Sequence, residues 1–479
     1  MRYTPPSHLW EGARGLGLRV ATEGNISMTK QIIERAADAP HQTILARTRT
    51  TELAAHVGER VRMQGWLHAR RRLGALTFLI LRDGWGTAQI VAQSEAELAP
   101  LTEAQAGVES VITVEGIAVA SEQAPGGMEL HEACIEVITP IQEAPPVTLS
   151  KREVKASLTT LLDHAVVANR HPTRRALLRL GAGVMAGFRA TLMARGFTEI
   201  QTPKIVASAT EGGANVFPVD YFDRTAYLAQ SPQFYKQIMV GVYERVFEVG
   251  PVFRAEPHDT TRHLNEYVSL DAEQGFITDH FDVMATLRET IAGIIETLRE
   301  GYAPELALLD VKLPSVPAEI PHIHIADAQE LIFQRYGADV RGKPDLSPQD
   351  ERWLGEWALA EHGSDFLYVT GYPTHHRAFY TYPDPVRPEF TNSFDLLFRG
   401  LELVSGGQRL HRYEDYLAAL ERRGLPLEPF AWYFDAFKYG MPPHGGFAIG
   451  LERLLTQLTG APTIKLATLF PRDINRLAP

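Results

Sequence analysis

The sequence predicts an α+β chain, with a small closed β-barrel ahead of a larger domain on a mostly antiparallel sheet flanked by helices. Three observations predict it. Short alternating strands crowd residues 60–137, and strand runs broken by helices fill the rest without regular βαβ alternation. A stiff segment carrying Pro145-Pro146 separates the two.

Bulk properties bound the function. A length of 479 residues suits two or three domains, and 45% apolar with 22% charged residues is ordinary globular composition. No apolar run approaches the roughly 18–20 residues that a bilayer span needs. The first thirty residues lack the pattern of a secretion signal. The single cysteine, Cys134, excludes an internal disulfide and a cysteine-based zinc cluster, and reads as a small buried apolar residue. These features fit a cytoplasmic enzyme with no membrane partner. A net charge of −11 argues against coating the whole surface with nucleic acid, but not against a local RNA site. Arg70, Arg71 and Arg72 form a compact basic cluster, read either as a solvated charge run or as such a site.

Taken in order, residues 1–40 are rich in Gly and Pro without a period and read as a weakly ordered extension. Residues 41–141 hold the barrel, with strands expected at Val61–Leu67, Leu76–Leu81, Ala88–Val91 and Ser110–Val114. About five strands in so short a span favour an OB-fold, a common reader of single-stranded nucleic acid. Residues 142–170 are expected to form a linker or hinge, and 171–479 the larger domain. In that domain Thr173–Arg195 and Asp282–Leu298 read as helices, whereas Arg245–Arg254, Tyr267–Phe276 and Phe394–Phe398 read as strands. Residues 303–365 look like an insertion of loops and one further helix. The last apolar helix, Gly450–Leu458, follows what reads as a Gly-rich turn.

There is no GxxxxGKS/T phosphate loop and no GxGxxG turn between a strand and a helix. A nucleotide would therefore be gripped by side chains on a sheet. Glu248 through Glu256 ends a strand with Arg254 and Glu256, and the return strand starts near His263-Leu264-Asn265-Glu266-Tyr267. If strand alternation continues, Arg254 and Glu256 share a face. An Arg there can grip phosphate oxygens in two-point fashion, while the Glu accepts from an amino group. Taken alone, the pair is more often a surface cross-strand ion pair.

Two further stretches supply context: Gly187-Phe188 through Thr202-Pro203, and Gly445-Gly446-Phe447-Ala448-Ile449-Gly450-Leu451-Glu452-Arg453-Leu454. With the Arg254 segment they resemble, in order, the three motifs of class II aminoacyl-tRNA synthetases. Within that class the chain resembles aspartyl-tRNA synthetases of the archaeal and eukaryotic-like type, from about Arg60 to Pro479. The most specific stretches are Ser208 through Ala214, Gln230-Ser231-Pro232-Gln233-Phe234-Tyr235-Lys236-Gln237, Gly406-Gly407-Gln408-Arg409 and Phe470-Pro471-Arg472-Asp473.

The resemblance implies ATP-dependent activation of L-aspartate and its transfer to tRNA(Asp). It assigns Arg254, Glu256 and Arg453 to ATP, with Arg453 at the γ-phosphate, the motif glycines admitting the nucleotide, and Arg262 and His263 near the phosphates. Tyr267 would stack on adenine, and Glu402 with Ser405 would meet magnesium. Glu211 would close over the amino acid, Gln233 and Asp271 would hold its ammonium, and Lys236 with Arg409 its side-chain carboxylate. Two fixed cations facing a carboxylate reward aspartate, because asparagine would leave buried charge unpaired at a cost of about 3–5 kcal/mol. In the barrel, Phe78 and Gln89 match the anticodon-reading pair, and Glu129 a further contact. The first motif implies a homodimer.

Two departures stand out. His68 and Pro125 occupy positions where members restricted to tRNA(Asp) tend to have Trp and Lys. The pair resembles non-discriminating members, which also charge tRNA(Asn) and pass the product to an amidotransferase. His375 and His376 stand where the family more often has an acidic residue, and read as local variation or as neighbours of the substrate. Two other readings compete: an asparaginyl-tRNA synthetase, against which Lys236 argues, and a catalytically silent RNA-binding paralogue.

Overall fold

The computed structural model describes residues 45–151, 153–207 and 215–479. The predicted extension, residues 1–40, and Glu211 lie outside the described residues. Contacts divide the chain into two compact units, one through Ala144 and one from Pro145.

In the first unit, β1 (Arg60–Leu73), β2 (Leu76–Arg82), β3 (Thr87–Ala92), β4 (Val111–Ala120) and β5 (Met128–Thr139) close a barrel in the order β1-β2-β3-β5-β4. Inward positions recur every second residue, so Met63, Leu79, Leu81, Ile90, Val114 and Leu130 fill the interior. Helix α1 (Glu95–Glu103) starts on a capping box between Ser94 and Glu97. Cys134 is exposed, contrary to expectation, because alternation along β5 points it outward opposite Glu115.

The second unit opens with α2 (Leu158–Asp163) and α3 (Ala165–Ala168). Val147, Leu149 and Ala168 form a small core of their own, so the expected linker is in large part folded. Helix α4 (Pro172–Ala194) follows, with Leu180, Val184, Phe188 and Leu192 turned into the main core. Emptying a buried aromatic such as Phe188 to Ala would cost about 3–5 kcal/mol. Among the described residues only α4 is long and apolar enough to cross a membrane, and half of its apolar window is buried in the protein.

The remaining elements are β6 (Thr198–Glu199), β7 (Ile205–Val206), β8 (Pro218–Tyr221), β9 (Arg224–Leu228), α5 (Gln233–Tyr243), β10 (Arg245–Phe253), β11 (Glu266–Gly275), α6 (His280–Gly301) and α7 (Ala303–Leu308). Then come β12 (His322–His324), α8 (Ile325–Tyr336), α9 (Pro348–His362), β13 (Phe366–Thr370), β14 (Ser393–Phe398), β15 (Leu401–Arg409), α10 (Tyr413–Arg423), α11 (Ala431–Lys438), β16 (His444–Gly450) and α12 (Leu451–Thr459). An 8-stranded sheet runs β12-β13-β14-β15-β16-β11-β10-β6, and β7-β9-β8 form a small second sheet. The large sheet is antiparallel except at its two edges, where β12 and β6 pair in parallel. Helix α6 packs on α4 at Gly187, where an added Cβ would lie 2.9 Å from the Ile294 Cα.

Two expectations are corrected. The segment 303–365 holds three helices, and its β12 joins the main sheet, so it is not merely a looped insertion. The Gly-rich run before α12 is not a turn but strand β16, sandwiched between β15 and β11. A Cβ at Gly446 would strike the Ala272 carbonyl and the Glu273 carboxylate. Gly445 and Gly446 thus admit neighbouring strands and a buried acid, whereas Gly450 lines a polar cavity.

Candidate active site

One face of the large sheet carries a polar cavity of about 780 Å³. Arg254, Glu256, Arg262, His263 and Tyr267 line it from the β10–β11 connection, and Arg453 from the first turn of α12. Glu402, Ser405 and Arg409 line it from β15, and Gln233 with Lys236 from the start of α5. The described residues predicted for ATP and aspartate are thus brought together from distant parts of the chain, with one exception. Asp271 is buried behind the wall, where it accepts from Ser269 and from Lys236 Nζ at 3.1 Å.

At the nucleotide end, β10 stops at Phe253, so Arg254 and Glu256 are not alternating strand residues as expected. The Glu256 amide bonds back to the Arg254 carbonyl, a tight turn that still presents both side chains to the cavity. The Arg254 guanidinium carbon lies 5.9 Å from the centre of the Tyr267 ring. The His263 ring sits 2.7 Å from the Thr260 hydroxyl. Burial lowers its pKa, and Arg453 and Arg262 add to this against the opposing pull of Glu256.

Arg453 donates to the Glu402 carbonyl at 3.1 Å, and Ser405 Oγ donates to Glu402 Oε1 at 3.0 Å. Behind them Asp395, directly across from Ser405, is buried and takes a 2.6 Å bond from Arg377. Desolvation, with the Asp395 charge adding to it, holds the Glu402 carboxyl above the usual range. Among the described residues no three acids, histidines or cysteines cluster as a protein-only metal cage. A carboxylate and a hydroxyl on one wall, completed by phosphate oxygens and water, suit magnesium.

The amino-acid end holds a network that the sequence reading did not foresee. Arg409 Nε donates to Glu273 Oε1 at 3.0 Å, and Lys236 Nζ lies 3.4 Å from Glu273 Oε2. Lys236 also bonds the Phe447 carbonyl, and Arg409 the Gly446 carbonyl. The two cations therefore face two buried carboxylates, Asp271 and Glu273, before any substrate arrives. The expectation of two uncompensated cations is corrected: both are already balanced by buried carboxylates. Gln233 is buried, and its Nε2 has no partner among the described residues, which leaves an amide available at this end.

Sequence reasoning also missed Glu351 and Glu452, whose carboxyls burial pushes up to about 7. Asp271 and Glu273 stand two apart on one face of β11, a local signal for a second acid but not for its partners. Both His375 and His376 are exposed, and of the two His376 lines the cavity and lies 3.2 Å from Asp345.

On the barrel, Phe78, Gln89 and Glu129 occupy outward positions on the adjacent strands β2, β3 and β5. Gln89 pairs in register with Glu129 and donates to it at 2.7 Å. Phe78 faces Arg71 across β1 and β2, so a ring, an amide and a cation share one surface. Pro125 is exposed in a short turn beside β3, where a Cβ on Gly126 would lie 3.5 Å from the Thr87 carbonyl. His68 is buried. It sits at a bulge in β1, with Nδ1 3.8 Å from Glu109, which Arg82 grips at 2.8 and 2.7 Å.

The geometry has counterparts among known proteins. Residues 157–474 match the family described as tRNA synthetases class II (D, K and N), and residues 61–138 the OB-fold nucleic acid binding domain. The chain is similar to the aspartate–tRNA(Asp/Asn) ligase of Deinococcus radiodurans, at 48% identity over 91% of this chain and 99% of that one. Identity is also 48% to the ligase of the same name from Thermus thermophilus, over 89% and 99%. Among solved structures, asparaginyl-tRNA synthetase from Pyrococcus horikoshii with asparaginyl-adenylate superposes with a TM-score of 0.84 at 32% identity, covering 91% of this chain and 100% of that one. A putative aspartyl-tRNA synthetase from Leishmania major gives 0.79 at 28% identity, covering 94% and 100%. The chain belongs to the class II tRNA synthetases of the D, K and N group.

Proposed function

We propose that the chain activates L-aspartate with ATP and transfers it to the 3′ end of tRNA(Asp) and also of tRNA(Asn). The observation that carries this reading is one cavity with an Arg254–Glu256–Arg453 end and a Lys236–Arg409 end. An α-carboxylate oxygen of aspartate attacks the α-phosphorus of ATP, and the bond to pyrophosphate breaks. No side-chain nucleophile is needed, because positioning and charge neutralisation do the work. Arg254 neutralises the α-phosphate, and Arg453 holds the γ-phosphate. Tyr267 offers its ring to adenine, Glu256 accepts from the adenine amino group, and His263 and Arg262 flank the phosphates.

Gln233 and Asp271 are assigned to the substrate ammonium, with Asp271 acting from behind through Ser269 and Lys236. Glu211 is assigned as the residue that closes over the amino acid. Glu402 and Ser405 would hold magnesium, which neutralises phosphate charge when bound. The terminal ribose hydroxyl of tRNA then attacks the adenylate carbonyl, releasing AMP. Phe78, Gln89 and Glu129 read the anticodon, and His68 with Pro125 relaxes the choice between the two tRNAs.

The active species is a homodimer formed through residues 176–203, placed in the cytoplasm, with an amidotransferase as the consumer of aspartyl-tRNA(Asn). Aspartate-dependent pyrophosphate exchange, followed by charging of pure tRNA(Asp) and tRNA(Asn), tests the reading. Exchange with asparagine alone would replace it by an asparaginyl enzyme, and no exchange by a silent RNA-binding paralogue. Exchange with aspartate but no tRNA(Asn) product would remove only the relaxed specificity.

A further inference from the structure

Glu351 belongs to the first turn of α9, in the segment between α7 and β13, yet it reaches Glu402 on the cavity wall from behind. It is 8% exposed, and its Oε2 accepts the Glu402 backbone N–H at 2.9 Å. The other end of residue 402 is also held, since its carbonyl accepts from Arg453. Both polar groups of this residue's backbone are thus tied to side chains. The reason lies in the sheet: the β14–β15 register shifts between Leu396 and Leu397, opposite Glu402. A bulge removes ladder partners and re-aims the side chain.

The helix that carries Glu351 is built to stay in place. Ser347 and Asp350 form a capping box at its start, with Pro348 in the first turn. It lies directly on the β14–β15 turn, where a Cβ on Gly355 would come 2.5 Å from the Gly400 Cα. Gly400 itself has φ +71, and a Cβ there would lie 2.9 Å from the Arg352 Cα. A buried carboxylate is an expensive way to accept one backbone N–H, so a structural staple alone would not call for it.

We propose that Glu351 is a positioning residue for the nucleotide end: by holding the Glu402 amide, it keeps the Glu402 carboxylate on the cavity wall where ATP-bound magnesium would meet it. The inference rests on the ATP-using reading above. Residues that orient a metal-contacting group typically change metal affinity by about 10–100-fold when removed.

The test uses the full chain with Glu351→Ala and Glu351→Gln. Binding of a non-hydrolysable ATP analogue is titrated against magnesium by calorimetry, with aspartate binding and thermal unfolding measured alongside. Glu351→Ala is expected to raise the magnesium midpoint by about 10-fold or more, with aspartate affinity within about twofold of wild type. Glu351→Gln, which still accepts the amide hydrogen, is expected to restore most of the loss. An unchanged midpoint in Glu351→Ala overturns the inference, as does parallel weakening of aspartate and nucleotide. A Gln variant as poor as the Ala variant overturns the hydrogen-bond clamp. Wild-type protein that binds no nucleotide would bring down the activity reading and this inference together, whereas active wild type with an indifferent Ala variant brings down this inference alone.

Discussion

Arg409 donates its Nε–H to Glu273 at 3.0 Å, and the second oxygen of the same buried carboxylate lies 3.4 Å from Lys236. One acid therefore braces both cations assigned to the substrate side chain. Removing one partner of a buried ion network typically costs about 3–5 kcal/mol, because the remaining charges stay buried. Glu273→Gln should lower stability by about that amount without substrate. Saturating aspartate should then raise the unfolding midpoint more in the variant than in wild type, since the ligand carboxylate replaces the missing charge. Denaturation with and without aspartate measures this, and an equal ligand-induced shift in both proteins would refute the bracing role.

Arg254 stands at the turn where β10 ends, beside the Tyr267 ring and on the cavity wall. Its assigned task is to neutralise charge that grows on the α-phosphate. Removing such a stabiliser costs about 100-fold or more in rate. Arg254→Ala should therefore reduce aspartate-dependent pyrophosphate exchange by at least ~100-fold, with unfolding little changed because the side chain is only partly buried. Near-normal exchange would sink the assignment.

The contrast between these two residues shows what the sequence made legible. Arg254, Glu256 and Arg453 were readable because each sits in a motif with fixed spacing, and the cavity gathers all three. The barrel was readable because its strands alternate and are punctuated by turns. Glu273 was not, because its role depends on β15 and β16 lying beside β11, a pairing that no local pattern encodes. Strand β16 was missed for a related reason: its glycines look like a turn until the close approach of its neighbours is seen. Glu351 was hidden by its place in a segment that reads as an insertion. Its partner, the Glu402 amide, is 51 residues away.

The contribution of His444 to stability should be lost in mild acid. His444 is fully buried, its Nδ1 bonded to the Pro442 carbonyl, and burial lowers its pKa to about 4. In the unfolded chain an ordinary imidazole titrates near 6.5. Between these values the unfolded state binds a proton that the native state refuses, so the contribution is present above about pH 6.5 and is lost as pH drops toward 4. The full effect is on the order of 3 kcal/mol. His263, His280, His324 and His411 are lowered as well and act in the same direction. Glu351 and Glu452, raised to about 7, act in the opposite direction over the same range, so the His444 contribution is read as a difference. Relative to wild type, His444→Gln should change the slope of stability against pH, measured from denaturant midpoints, by about one proton. An unchanged slope would show that His444 does not titrate as its burial requires.

Relaxed tRNA choice is best tested at Pro125 and not at His68. His68 is buried against the Arg82–Glu109 pair, so replacing it with Trp would overpack the bulge at a cost of about 1–3 kcal/mol and confuse folding with specificity. Pro125 is exposed, and its turn borders Thr87, two residues before Gln89 on β3. A lysine there can extend into solvent without displacing core atoms, and it places a cation beside the proposed anticodon surface. Pro125→Lys should reduce charging of tRNA(Asn) by about 10-fold or more, the cost of roughly one disfavoured base contact, with tRNA(Asp) charging kept within about threefold. Pyrophosphate exchange should not change, because the amino-acid site lies in the other unit. Equal loss on both tRNAs would show that residue 125 contributes general RNA affinity and does not choose between them.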